Sequence, residues 1–194
     1  MEYQQTYDIV RTFMQNKIYS DKGRVTALHY SKNKQSIQFV EKRIEHLNKH
    51  FFKVETRLNK QDVTQYARKA VQISENNDFT NIKLSMHSIR EVLMESFPEN
   101  KCFWAYQVVF ISWYVCVCTR IYELNSVNNT AIDYIVQETI NIVSSEIREN
   151  GESWDKFLDF SVQGLLIPPP NAFKLTLLVG IVVLFAWNFF YRRK

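Results

Sequence analysis

The chain has 194 residues, a formal net charge of +4, 46% hydrophobic and 14% aromatic residues, and only four glycines and four prolines. That length suits one domain with an appendage, and the modest, dispersed charge excludes a dedicated nucleic-acid binder, which carries a concentrated basic face. Three of the prolines are consecutive, Pro168 to Pro170, so long stretches hold no breaker and the chain reads as nearly all α.

The first predicted element is an amphipathic helix. Tyr3, Tyr7, Val10 and Met14 recur at helical spacing, Ile9 and Phe13 widen the stripe, and Asp21-Lys22-Gly23 ends it. A longer pattern follows, in which Ile37, Val40, Ile44, Leu47, Phe51, Val54 and Leu58 alternate by three and four behind Ser36 as cap. Three heptads are the lower limit for a coiled coil, so packing within the same domain is the expectation. On this helix His46 and His50 in HLNKH are spaced as metal ligands can be, but the glutamate of a zinc-protease motif is absent. The pair is expected to be solvated on a lysine-rich face. A third helix begins at Asp62, with Val63, Tyr66, Ala70 and Ile73 inward, and the polar SENNDFTN, 74–81, reads as a loop. Ile82, Met86, Ile89, Val92 or Leu93, and Phe97 form a fourth stripe, ended by Pro98.

CFWAYQVVFISWYVCV, 102–117, is apolar on every side except at Gln107 and Ser112, so other helices must surround it. At sixteen residues, with Lys101 and Arg120 close by, it reads as a central core helix and not as a membrane span. Cys102, Cys116 and Cys118 form an odd set without CxxC spacing, which describes core thiols of a reduced protein and neither a disulfide framework nor a zinc site. Thr130 to Asp133 has the form of a capping box, opening an amphipathic helix with Ile132, Val136, Ile140, Val143 and Ile147 inward. Gly151 stops that helix, and Ser153 caps a short last one carrying Trp154, Phe157, Leu158 and Phe160.

The tail FKLTLLVGIVVLFAWNFFYRRK, 173–194, is apolar from Leu175 to Tyr191 apart from Thr176, Gly180 and Asn188, and ends in three cations. Such a run spans roughly 25 Å as a helix, just enough for a bilayer core. The expected organisation is a helical domain over 1–165, a proline-rich linker over 166–172 and a C-terminal transmembrane anchor over 173–191. MEYQQTYDIV is neither basic nor continuously apolar, so no signal peptide is expected, the body is placed in the cytosol and the sequon at Asn128 stays unmodified. No phosphate-binding glycine loop, G-x-S-x-G or other catalytic constellation stands out, so no enzyme, cofactor or metal site is expected.

ENGESWDKFLDF, 149–160, resembles the second homology region of the Bcl-2 family of apoptosis regulators, whose pattern is close to ENGGWDxFxxL, with one residue inserted between Gly151 and Trp154. Fifty residues before Trp154, FWAYQVVFISWYVCVC resembles the family's first region, NWGR followed by an apolar central helix; Trp104, Ser112 and Cys118 fall where the family often has Trp, Ser and Cys. YDIVRTFMQNKIYSDKG, 7–23, is similar to the fourth region, ELVxDFLxYKLxQ, and the basic-ended tail completes the order. There are departures. Ala105 and Tyr106 replace the glycine and arginine of NWGR, Arg57 to Asp62 matches the third region, LxxxGD, only at the acid, and the 37–58 helix has no counterpart.

The resemblance implies an all-α, Bcl-2-like bundle of seven or eight helices around a central hydrophobic helix, plus a C-terminal transmembrane helix. It also implies a hydrophobic groove, bounded by helices around 62–74 and 84–97 and floored by 103–113, that takes an amphipathic death-promoting helix. Its expected lining is Tyr66, Ile89, Val92, Leu93, Phe97, Phe103, Trp104, Tyr106, Val109 and Phe110. Trp154 and Phe157 would cap the bundle or form the groove rim, and Asp155 would complement the dipole of the last helix. The Tyr106 hydroxyl would meet the ligand's aspartate, with Arg90 and Lys101 the nearest cations in sequence. The implied function is pro-survival: sequestration of pro-apoptotic Bcl-2 relatives at the cytosolic face of the mitochondrial outer membrane, with the endoplasmic reticulum as a second location. A pore-forming pro-apoptotic member of the same fold and an unrelated tail-anchored helical adaptor are the alternatives.

Overall fold

The computed structural model describes residues 2–19, 34–76, 79–96, 103–124 and 129–160. Among them are seven helices and no strand: α1 (Glu2–Ile18), α2 (Lys34–Glu55), α3 (Lys60–Ser74), α4 (Phe79–Ser96), α5 (Phe103–Leu124), α6 (Asn129–Glu149) and α7 (Trp154–Asp159). The all-α architecture expected from the scarcity of breakers is the one found. The expected linker over 166–172, the anchor over 173–191, Cys102 and the helix stop at Asp21 to Gly23 lie outside the described residues. Among those that are described, no helix is long and apolar enough to cross a membrane.

α5 is the axis. Every residue from Trp104 to Val115 is buried, which a helix tolerates only when apolar side chains face all directions. α1, α2, α3, α4 and α6 pack around it, each with its own apolar stripe. α1 turns Ile9, Val10, Phe13 and Met14 inward, joined by Thr6 and Ile18. Tyr3, expected on that stripe, is 48% exposed instead, and its hydroxyl bonds to Asn141 and Gln137 of α6. α2 lies against α1, α5 and α7, so its heptad pattern serves the interior of one domain.

Several boundaries differ from the sequence reading, each for a local reason. α2 already begins at Lys34, so Ser36 is helical and caps nothing. Asn59, not Asp62, starts α3: its backbone is extended, and its side chain accepts from the Gln61 N–H at 3.0 Å, satisfying a donor the helix leaves free. α4 takes up the end of the expected 74–81 loop because Phe79 stacks on Tyr134 of α6, 4.6 Å between ring centroids. α5 continues to Leu124, past the most apolar stretch. α6 starts at Asn129, which puts Thr130 inside the helix and excludes the capping box.

The C-terminal end of α6 matches expectation. Gly151 has φ +62°, the left-handed conformation in which a side chain is strained. The Glu152 N–H reaches the Ile147 carbonyl at 2.9 Å and the Gly151 N–H the Arg148 carbonyl at 3.3 Å, the two bonds of a Schellman stop. Ser153 then caps α7, accepting from the Lys156 N–H.

Candidate functional site

Two junctions gather the residues singled out above. The first is the end of the bundle around Trp154. This residue is 1% exposed, and its indole N–H donates to the Thr6 hydroxyl of α1 at 3.0 Å. Its ring lies 5.1 Å from that of Trp104 and 5.4 Å from that of Phe157, while Trp104 and Phe157 are 4.8 Å apart. Trp104, read as a groove residue, therefore joins Trp154 and Phe157 in one aromatic plug. The plug ties α1, α5 and α7 together.

α2 completes this junction with a face that sequence reasoning missed. Arg43 is 4% exposed; its Nε donates to the Trp154 carbonyl at 3.2 Å, it pairs with Asp155, and its guanidinium lies 3.5 Å from the centre of the Phe39 ring. One turn on, His46 Nε2 is 2.9 Å from the Phe160 carbonyl. His50 follows at 2% exposure, with neither ring nitrogen hydrogen-bonded. The expectation of a solvated histidine pair is thus overturned: the imidazoles stack edge to face at 4.5 Å and pack on Phe157 and Phe160. Burial is the chief reason that the His50 pKa is lowered to about 4, with His46, Lys53 and Lys49 adding to the effect. Asp155 does not act on the helix dipole alone, since it also neutralises Arg43. Position in the pattern was the available signal, because Arg43 and His50 fall beside Val40, Leu47 and Val54 on the inward side of α2.

The second junction joins α4, α5 and α6. Tyr106, expected to offer its hydroxyl to a ligand, is 6% exposed and donates to Glu146 Oε2 at 2.7 Å. Arg90 of α4 pairs with the same carboxylate, and Glu146 is itself 3% exposed. Burial and the neighbouring carboxylate push the Tyr106 phenol well above its ordinary pKa. Farther along the same two helices, Lys83 and His87 both approach Glu138 at 3.4 Å. α4 is thus fastened to α6 by Lys83 and Arg90 set against two buried acids, with the His87 imidazole beside one of them. Glu138 and Glu146 stand among Ile135, Ile142, Val143 and Ile147, and acids so placed in an apolar stripe mark positions that need partners.

The rest of the expected lining is mostly interior. Tyr66, Ile89, Leu93, Val109 and Phe110 are at most 2% exposed, Val92 and Phe103 are half-buried, and Phe97 lies outside the described residues. The Tyr66 hydroxyl accepts from Ser85 of α4 at 3.0 Å, and its ring meets Trp113 and Tyr114 of α5; burial pushes its pKa up to about 12. Tyr66 so pins α3, α4 and α5 together. Among the described residues, α3 and α4 both pack on α5, which keeps most of this lining inside the bundle. A cavity of about 540 Å³ opens instead on the polar face of α3, at Lys60, Gln61, Thr64, Gln65, Arg68, Lys69 and Gln72. Another, of about 150 Å³, lies between α1 and α6.

Cys116 is half-buried and Cys118 fully buried, and burial pushes the Cys116 thiol up to about 12 and Cys118 higher still, so neither is a thiolate at neutral pH. Among the described residues no group of three or more His, Cys, Asp or Glu side chains is arranged to hold a metal ion. Compared with known proteins, the chain matches no family model, no curated protein and no solved structure.

Proposed function

We propose that the chain is a pro-survival regulator of apoptosis of the Bcl-2 kind, anchored by 173–191 in the mitochondrial outer membrane and sequestering the amphipathic death helices of pro-apoptotic relatives. One observation carries the reading more than any other. Trp104 and Trp154, which mark the first and second homology-region resemblances fifty residues apart in sequence, meet with their rings 5.1 Å apart at one end of a bundle built on an apolar α5. Two motifs that resemble one family's signature, and that also complete each other in space, support a shared fold better than either does alone.

On this reading the ligand helix lies between α3 and α4 over α5, and the closed packing there must open to admit it. α4 is the helix suited to move, since it touches α5 far less than α3 does. Besides its buried stripe of Ile82, Met86, Ile89 and Leu93, it is held by specific polar contacts: Ser85 to Tyr66, Arg90 to Glu146, and Lys83 with His87 to Glu138. Parting α4 from α5 would uncover Leu93, Ile89, Val109 and Phe110 as apolar anchoring surface.

The test is a binding profile of the full chain in lipid nanodiscs against a panel of amphipathic death-helix peptides, with release of dye from liposomes measured alongside. Submicromolar binding of some peptides without dye release is expected. Dye release on peptide addition would assign the pore-forming alternative. Absence of binding to every peptide would leave the tail-anchored adaptor.

A further inference from the structure

The α2 face that holds α7 is more than packing. Arg43, His46 and His50 stand at i, i+3 and i+7, so they share one side of the helix, and all three are directed at the short segment 154–160. α7 has only six residues and packs chiefly on α2, apart from the Trp154 and Phe157 rings. The last described residue, Phe160, is held by its carbonyl to His46 Nε2 and by its ring against His50, 5.2 Å between centroids.

We propose that His50 is an acid-sensitive latch: proton uptake by its buried imidazole makes α2 let go of α7 and of the Phe160 ring. The surroundings of His50 are the reason. From its own helix His46, Lys53 and Lys49 each act against a charge on it. α7 and the residue after it supply the Phe157 and Phe160 rings, while Asp155 is turned outward, its side chain 80% exposed, and is occupied by Arg43. Among the described residues, no carboxylate from α1 or α5 is among the groups that shift His50. A neutral imidazole fits this site as a mostly apolar ring, but a charged one would be buried, unpaired and 4.5 Å from a second imidazole. His50 therefore gains its proton most easily once α7 has moved and its ring meets water.

The sign follows from linkage. Latched, His50 titrates at about 4; freed, it returns to its ordinary 6.5. Above pH 6.5 both states are neutral and the latch is at full strength, and as pH falls from there the freed state binds the proton first. The latch weakens progressively and stops weakening below 4, by which point the loss from His50 alone is about 300-fold.

Hydrogen exchange on the full chain in lipid nanodiscs tests this, with rates corrected for intrinsic pH dependence. The probes are the Phe157 and Phe160 amides, bonded to the Ser153 and Phe157 carbonyls, and the Trp154 indole N–H, bonded to Thr6. Between about pH 7.5 and 4.5 their protection should fall by some tens of fold while α5 amides keep theirs. In His50→Phe, which keeps a ring against Phe157 and Phe160, the fall should shrink to less than about threefold. Protection that is independent of pH in the wild type, an undiminished fall in His50→Phe, or loss at α5 in step with α7 each overturns the latch. Should that variant not fold, the His50 ring resonances of the wild type decide. A titration near 6.5 with α7 still protected refutes the proposal, and one held below about 5 supports it.

Discussion

Trp154 and Tyr106 show how differently one residue can be settled by its partners. Trp154 is buried on all sides and its one polar atom is satisfied by Thr6, so Trp154→Ala should lower the stability of the body by about 3–5 kcal/mol, read as a shift in the urea midpoint. Unchanged stability together with weaker peptide binding would place the ring on a groove rim. Tyr106 was expected to serve a ligand, but its hydroxyl is committed to Glu146. Tyr106→Phe removes one donor from a buried carboxylate and should cost about 1–3 kcal/mol. Glu146→Ala leaves the Arg90 guanidinium in the α4–α6 junction without its partner and should cost more, about 3–5 kcal/mol. If the groove reading holds, calorimetry with matched peptides should show less than a tenfold loss when the ligand's aspartate becomes alanine, because Tyr106 and Arg90 are both already engaged. A thousandfold loss would mean that one of them exchanges Glu146 for the ligand.

At the scale of elements, the α6–α7 corner depends on one backbone conformation. A Cβ placed on Gly151 would meet nothing within 4 Å, so the cost of Gly151→Ala is conformational and not steric. It should be about 1–2 kcal/mol, the penalty for a side chain in the left-handed region. Thermal unfolding measures it, and a much larger loss would mean that the turn itself rearranges. The helices were legible because their stripes repeat by three and four over long, breaker-free stretches, and Gly151 and Ser153 were legible because stop and cap chemistry is local. The starts of α2, α3 and α6 were not. Ser36, Asp62 and Thr130 are all residues that cap helices, and which candidate does so depends on where the backbone first turns extended, as it does at Asn59.

At the scale of the whole molecule, the described residues already surround α5, and the Trp104, Trp154 and Phe157 rings seal one end of the bundle. A chain ending at residue 165 should therefore unfold cooperatively in denaturant and remain in the supernatant when membranes are pelleted. Sedimentation with membranes at high salt would refute the reading of 173–191 as the sole anchor.

The amino-acid order alone determined that the chain is helical, that the stretch after Phe103 lies at the centre, and that Trp154 follows a glycine stop, because periodicity, uniform apolarity and turn chemistry act within a few residues. Tertiary structure decided the fate of the polar groups on those stripes. Periodicity reports the side of a helix on which a residue lies, but not its depth or what it meets there. Arg43 finds the Trp154 carbonyl 111 positions away, and Tyr106 finds Glu146 40 positions away. A charge at such a depth is tolerable only with a partner, and a neutral imidazole only so long as it stays neutral. Both conditions are set where distant segments meet.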